Sequence, residues 1–168
     1  MKIKATVQML ALSSLATGFG IAPGLADGSE HCQHVGGGVL TNFLLPADCA
    51  GSFQNLCTDG TATGDLKGAV GVSVLGISGN VYHVHHHWVT ETGDTIFLKD
   101  AYLTTYPSSD PNNRVLADYL SGVEITGGTG RFEGATGDIS SAFGGVDLKP
   151  GQITLRYAGT ICFRPVAG

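Results

Sequence analysis

The histidines between residues 83 and 87 are the side chains best suited to chemistry in this chain. Four of the six histidines fall in the stretch Tyr82-His83-Val84-His85-His86-His87-Trp88. Alternate side chains on a β-strand share a face, so His83, His85 and His87 form one row and His86 points the other way. Neutral imidazole is a common ligand of zinc, copper and iron, so the row predicts a site for a divalent transition metal.

The spacing of this row limits how many imidazoles reach one ion. Same-face neighbours lie about 6.7 Å apart at their Cα atoms, so two of the three bind any one ion and a further ligand comes from elsewhere. Asp100 follows Ile96 and Leu98 in the strand alternation, which predicts a lone carboxylate on an apolar face. Such a group needs a partner, either a metal ligand shell or an ion pair with Arg131 or Arg156. The candidates for the further ligand are Asp100, Glu124, His31 and His34.

These residues favour a metal-dependent enzyme, or a metal-assisted ligand-binding protein, that acts on a small, largely apolar molecule. In that hypothesis the histidine row holds zinc, copper or iron, Asp100 and Tyr102 take part in catalysis, and Trp88 contacts the ligand. Asp100 either completes the ligand shell or orients it. Two alternatives stay open: the row is a solvated stripe on the outside of the protein, or it lines a ligand cavity without any metal.

The elements that carry these residues are predicted to be β-strands throughout. Short runs rich in Val, Ile, Thr, Phe and Tyr alternate with Gly, Asn, Asp and Pro at intervals of about ten residues, which is typical of a strand meander. Glycines inside the runs provide bends that a small barrel needs to close. We therefore expect an all-β fold, a single closed antiparallel barrel of about eight strands. The candidate strands are Val39–Leu45, Gly64–Ile77, Val81–Thr90, Thr95–Tyr106, Tyr119–Thr126, Arg131–Phe143 and Gln152–Phe163.

One stretch resembles a known family of barrels. The segment from Ile125 to Gly137 contains Gly-Gly-Thr-Gly-Arg-Phe, which is similar to a segment of the allene oxide cyclase and dirigent-like (calycin-like) barrels. Gly145, Asp147 and the strand ending at Cys162 are similar to small bacterial members. The resemblance covers roughly residues 57–163. It implies an eight-stranded barrel around an apolar cavity, a hydrophobic or phenolic ligand, cofactor-free cyclisation or isomerisation as an alternative activity, and homo-oligomers.

The N-terminus and the cysteines indicate export. Residues 1–26 combine two lysines, an apolar run and small residues before a cleavage site, so we expect a signal peptide and a secreted or periplasmic protein. We assign 27–56 to an N-terminal segment and 57–168 to the barrel domain. Four cysteines in an exported chain predict two disulfides. Three pairings are open, and we favour Cys57 with Cys162, joining the first barrel strand to the last, and Cys32 with Cys49.

The charge of the predicted mature chain restricts its partners. Seven basic against fourteen acidic side chains remain after residue 26, a net charge of −7. This acidic balance argues against nucleic acid and anionic membrane surfaces as partners. The partner expected from the histidine row and from the family resemblance is a small-molecule ligand or substrate. The polar stretch Pro107–Asn113 is expected to lie at the mouth of the barrel.

Overall fold

Ten antiparallel strands make up the part of the chain that the computed structural model describes, residues 30–109 and 114–164. The described ranges contain short 3₁₀ helices and no α-helix, and no helix in them is long and apolar enough to cross a membrane. The predicted signal peptide lies outside these ranges. The strands are β1 (His31–Phe43), β2 (Cys57–Ala62), β3 (Gly68–Ser78), β4 (Val81–Thr90), β5 (Thr95–Leu98), β6 (Ala101–Pro107), β7 (Arg114–Asp118), β8 (Val123–Gly128), β9 (Thr136–Asp147) and β10 (Gln152–Phe163).

The strands close into a barrel with eight positions around its circumference. Strands β5 and β6 both pair with β4, and β7 and β8 both pair with β9, so each of these two pairs of short strands fills one position. Pairing of β1 with β10 closes the sheet. The predicted all-β closed antiparallel barrel is thereby confirmed.

Strand β1 brings residues before the predicted barrel domain into the sheet. It pairs with β10 along most of its length, from His31 opposite Phe163 to Asn42 opposite Gln152. The start of β1 is rich in glycine and polar residues, which have a low intrinsic preference for strands. Its extended conformation is therefore stabilised by the hydrogen bonds to β10 rather than by its own residues.

The structure confirms two disulfides and corrects their pairing. Cys32 lies opposite Cys162 in the β1–β10 ladder, and these two cysteines are bonded. Cys49, at the end of the 3₁₀ helix Pro46–Cys49, is bonded to Cys57 at the start of β2. The pairing favoured from the sequence was therefore wrong, because the strand that closes the barrel against β10 is β1 and not the strand that begins at Cys57.

The predicted strand Thr95–Tyr106 is interrupted, which changes the direction of Asp100. Strand β5 ends at Leu98 and β6 begins at Ala101, with exposed Lys99 and Asp100 between them. The buried positions are 96 and 98 before the break but 101 and 103 after it. The two-residue break shifts the alternation by one, so the expectation of a buried carboxylate at Asp100 was wrong. Its side chain is 42% exposed on the outer face of the barrel.

One end of the barrel is filled by its own backbone and aromatic rings. The 3₁₀ helix Gly64–Leu66 folds over this end and buries Leu66. The indole N–H of Trp88 donates to the Leu66 carbonyl oxygen at 2.7 Å, and the Leu66 N–H donates to the Tyr157 hydroxyl at 3.1 Å. Tyr157 in turn donates to the carbonyl oxygen of Thr63. We call this the closed end.

Candidate functional site

Strand β4 carries polar side chains on both faces of the barrel wall. Val84 and Trp88 are buried in the interior, and His86 lines the interior with them. His83, His85 and His87 lie on the outer face, where their side chains contact water. The predicted alternation is therefore the one observed, and the row of three imidazoles faces away from the barrel interior.

The outer face brings together all five residues predicted for the metal and catalytic roles. Asp100 Oδ1 lies 2.6 Å from His85 Nδ1, and Asp100 Oδ2 lies 4.0 Å from His83 Nε2. The ring of His87 meets His85 edge-on, with ring centres 4.8 Å apart. Tyr102, opposite His83 on β6, stacks on the His83 ring at 4.9 Å. We call His83, His85, His87, Asp100 and Tyr102 the outer histidine cluster.

The other candidate ligands lie elsewhere. Glu124 pairs with Lys99 at 2.8 Å. His31 and His34 are on β1, which two strands separate from β4, and His34 contacts Thr160. Within the described residues, the group whose three ligand atoms all lie within 4.8 Å of one another is Glu30, Cys32 and Cys162. Its cysteines form a disulfide, so they are not available as thiolates.

A cavity of about 340 Å³ occupies the barrel at the end opposite the closed end. Leu148 lines it and is 47% exposed, so the cavity reaches the surface at the ends of β1, β6 and β9 and the starts of β4, β7 and β10. We call this end the mouth. The disulfide-linked segment between β1 and β2 lies at the same end. The lining is mostly apolar and consists of Val39, Thr41, Phe43, Leu56, Thr58, Val72, Val74, Tyr82, Val84, Leu103, Thr105, Val115, Tyr119, Val146, Leu148, Ile153 and Leu155.

A histidine–tyrosine pair, in which Tyr119 is buried and His86 partly buried, lies deeper in the barrel. His86 Nε2 is 2.8 Å from the Tyr119 hydroxyl oxygen. Tyr119 lines both the large cavity and a smaller one of about 50 Å³, which His86 and Trp88 also line. Burial, assisted by the nearby His85, lowers the pKa of His86 to about 4, so the imidazole is neutral at physiological pH. Burial also raises the pKa of Tyr119, which keeps the phenol protonated.

Two buried polar atoms in the described residues lack a hydrogen-bond partner, and both belong to residues that line these cavities. They are the hydroxyl oxygen of Thr58 and Nδ1 of His86. The sequence analysis places His86 on the face opposite the histidine row and does not single out Tyr119. The sequence does contain one indication of this pair, because the strand alternation places His86 on the same face as Val84 and Trp88. A histidine among core residues needs a hydrogen-bond partner inside the protein.

Trp88 was predicted to contact the ligand, and in the structure its side chain helps to hold the closed end of the barrel in place. Its indole is 5% exposed, packs edge-on against Tyr157 and is hydrogen-bonded to the closed end. It also lines the smaller cavity, so it forms part of the floor beneath His86. The predicted role in ligand binding stays a prediction.

Comparison with known proteins leaves the family unassigned. No family model matches the chain, and no curated protein and no solved structure is found to be similar to it. The barrel is therefore established by its strand pairing, and the function must be inferred from the geometry of the cavity and the cluster.

Proposed function

We propose that this protein binds a small, largely apolar molecule inside the barrel, entering through the mouth. The observation that carries the proposal is the cavity of about 340 Å³ between the mouth and Tyr119. Protein interiors are close-packed, so a space of this size in so small a barrel needs a reason. Its volume falls within the range of about 300 to 1,000 Å³ that is usual for small-molecule sites.

The chemistry of the cavity wall supports an apolar ligand. Most lining side chains are aliphatic or aromatic, and burial of apolar ligand surface contributes about 25 cal/mol per Å². The hydroxyls of Thr41, Thr58 and Tyr119 are the kind of sparse polar groups that fix a ligand's orientation. The resemblance to allene oxide cyclase and dirigent-like barrels supports the same class, a hydrophobic or phenolic molecule.

A cofactor-free isomerase or cyclase is the second candidate. It is favoured by the His86–Tyr119 pair, because an imidazole hydrogen-bonded to a phenol at the wall of an apolar cavity offers polar groups that can hydrogen-bond to a reacting ligand. The lowered pKa of His86 and the raised pKa of Tyr119 suit hydrogen bonding to the ligand rather than proton transfer near neutral pH. Metal-dependent turnover of a ligand in the cavity has less support, since the histidine row lies on the other side of the barrel wall. Two disulfides are typical of an oxidising compartment, which supports the exported location.

The test of ligand binding uses a neutral apolar fluorophore, N-phenyl-1-naphthylamine, titrated into the untagged protein. Ile153 lines the cavity near the mouth, whereas its neighbour Thr154 points outward and is exposed. We expect saturable emission with one probe per chain. Ile153→Trp fills the cavity and should weaken binding more than about tenfold. Thr154→Trp, the matched control, should bind as the wild type does.

Two results would contradict the proposal. One is absence of saturable binding to the folded wild type. The other is equal binding by Ile153→Trp and Thr154→Trp, which would place the probe outside the cavity. Thermal unfolding of each variant, followed by circular dichroism, establishes that both keep the barrel.

A further inference from the structure

We propose that the outer histidine cluster is a surface site for a divalent late transition metal, with His85 and His87 as ligands and Cu²⁺ as the tightest-binding ion. The site is separate from the cavity, because the imidazoles of His85 and His87 face outward from β4 while the cavity lies on the inner side of the same strand. It stands whether or not the barrel binds an apolar molecule.

The first support is the separation of the two rings. Two imidazoles that bind one ion through nitrogens about 2.0 Å from it, at an angle of about 90 to 110°, place their ring centres about 4.5 to 5 Å apart. The ring centres of His85 and His87 are 4.8 Å apart, at an interplanar angle of 76°. The distance between the two ring centres is therefore the distance that coordination of one ion at adjacent positions requires.

The second support is the orientation of His85. A carboxylate only accepts hydrogen bonds, so His85 Nδ1–H donates to Asp100 Oδ1 across 2.6 Å. This bond puts the proton on Nδ1 and leaves the lone pair of Nε2 free for a metal. A carboxylate behind a ligating histidine is a frequent arrangement, because it holds the ring in place and makes the ligand nitrogen more basic.

His83 lies on the far side of Asp100 and is less suited to share the ion. Its Nε2 is 4.0 Å from Asp100 Oδ2, and its ring is stacked on Tyr102. An ion between His83 and His85 would have to displace the short hydrogen bond from His85 Nδ1 to Asp100. We therefore assign the site to the later pair of the row.

The donor set decides the class of metal. Two imidazole nitrogens with water in the remaining positions suit Cu²⁺, Ni²⁺ and Zn²⁺ rather than Ca²⁺ or Mg²⁺, which prefer oxygen. For such nitrogen ligands the affinity rises to Cu²⁺ and falls again at Zn²⁺. The exposed position leaves the ion accessible from solvent.

The experiment titrates CuCl₂ into the untagged exported protein and follows quenching of Trp88, the only tryptophan in the sequence and the residue next to His87. We expect one equivalent of Cu²⁺ to quench the emission and Zn²⁺ to compete at higher concentration. His85→Ala and His87→Ala should each weaken Cu²⁺ binding more than about tenfold. Asp100→Asn keeps both ligands but should weaken binding about 10- to 100-fold.

Two variants serve as controls for position. His34→Ala removes an exposed histidine on β1, and it should bind Cu²⁺ as the wild type does. His83→Ala should change the affinity less than about threefold, well under the effect of a lost ligand. The proposal is overturned if the wild type does not take up Cu²⁺, if His85→Ala binds as tightly as His34→Ala, or if His83→Ala loses as much affinity as His87→Ala. Circular dichroism of each variant separates lost binding from lost folding.

Discussion

At the scale of single residues, His85 and His86 are adjacent in the chain and differ in almost every physical respect. His85 is on the outer face, hydrogen-bonded to the partly exposed carboxylate of Asp100. His86 faces the interior, where it is partly buried and hydrogen-bonded to the phenol of Tyr119. The wall of the barrel is a single β-sheet, so consecutive side chains point to opposite faces. One faces solvent and the next faces the less polar interior.

The inward-facing position of His86 predicts a loss of stability in mild acid. Its pKa falls from the usual 6.5 to about 4 because burial disfavours the imidazolium ion. The unfolded chain therefore takes up a proton at this site below pH 6.5, while the folded chain does not until about pH 4. Stability from this group is fully present above pH 6.5 and is lost as the pH falls towards 4, by on the order of 2 kcal/mol at pH 4.5.

The measurement is the free energy of unfolding in urea at pH 7 and pH 4.5, with a chelator present, for the wild type and His86→Phe. Carboxylates titrate in both proteins and cancel in the comparison. We expect the variant to lose about 2 kcal/mol less than the wild type between the two pH values. Equal losses would mean that His86 is not shielded as described.

At the scale of strands, the two-residue alternation of side chains correctly predicts which residues face the interior where a strand is regular. It gives the wrong face where the strand is interrupted. The alternation in β4 correctly placed Val84 and Trp88 inside and the histidine row on one face. It failed at Asp100, because the break at Lys99 and Asp100 shifts the phase without any glycine or proline to mark it. The proximity of Asp100 to His85 follows from that break, so the cluster could be suggested from the sequence but its geometry could not.

Glycine positions in the strands give a second prediction. The sequence indicated that glycines provide bends, and Gly159 lies at a register shift between β9 and β10. A Cβ at Gly159 would come within 2.1 Å of the carbonyl oxygen of Asp138, which is backbone and must move. We expect Gly159→Ala to lower the free energy of unfolding by about 1 to 3 kcal/mol in urea titration.

Gly76 is the matched control, since it lies in β3 beside another register shift with no atom near its missing Cβ. Gly76→Ala should be neutral or stabilise the fold by up to about 1 kcal/mol, because it restricts the unfolded chain. A greater loss from Gly76→Ala than from Gly159→Ala would contradict the packing described at the β9–β10 bulge.

At the scale of the whole molecule, closure of the barrel depends on the two strands that are farthest apart in the chain. Strand β1 pairs with β10, the last strand in the chain order, so the sequence near Cys32 carries little local sign of its partner. This is why the closed barrel could be predicted from the meander while the disulfide pairing could not. The Cys32–Cys162 bond spans 130 positions, and the Cys49–Cys57 bond spans 8.

The two disulfides should therefore differ in their contribution to stability. A crosslink restricts the unfolded chain more when the loop is longer, about 5 kcal/mol for the β1–β10 bond against about 2 to 3 kcal/mol for the short one. We expect the double variant Cys32→Ser/Cys162→Ser to lose more free energy of unfolding than Cys49→Ser/Cys57→Ser, both measured in urea under oxidising conditions. Similar losses for the two pairs would show that chain entropy is not the main effect.

The pairing of β1 with β10 also determines how this barrel is presented to its surroundings. His31, where β1 begins, lies opposite Phe163, where β10 ends, and both are at the closed end. A fusion partner, a surface linker or a longer chain attached at either point would therefore leave from the same pole of the molecule. If the protein were attached to a surface at this pole, the opposite pole, with the mouth of the cavity, would be directed towards the medium.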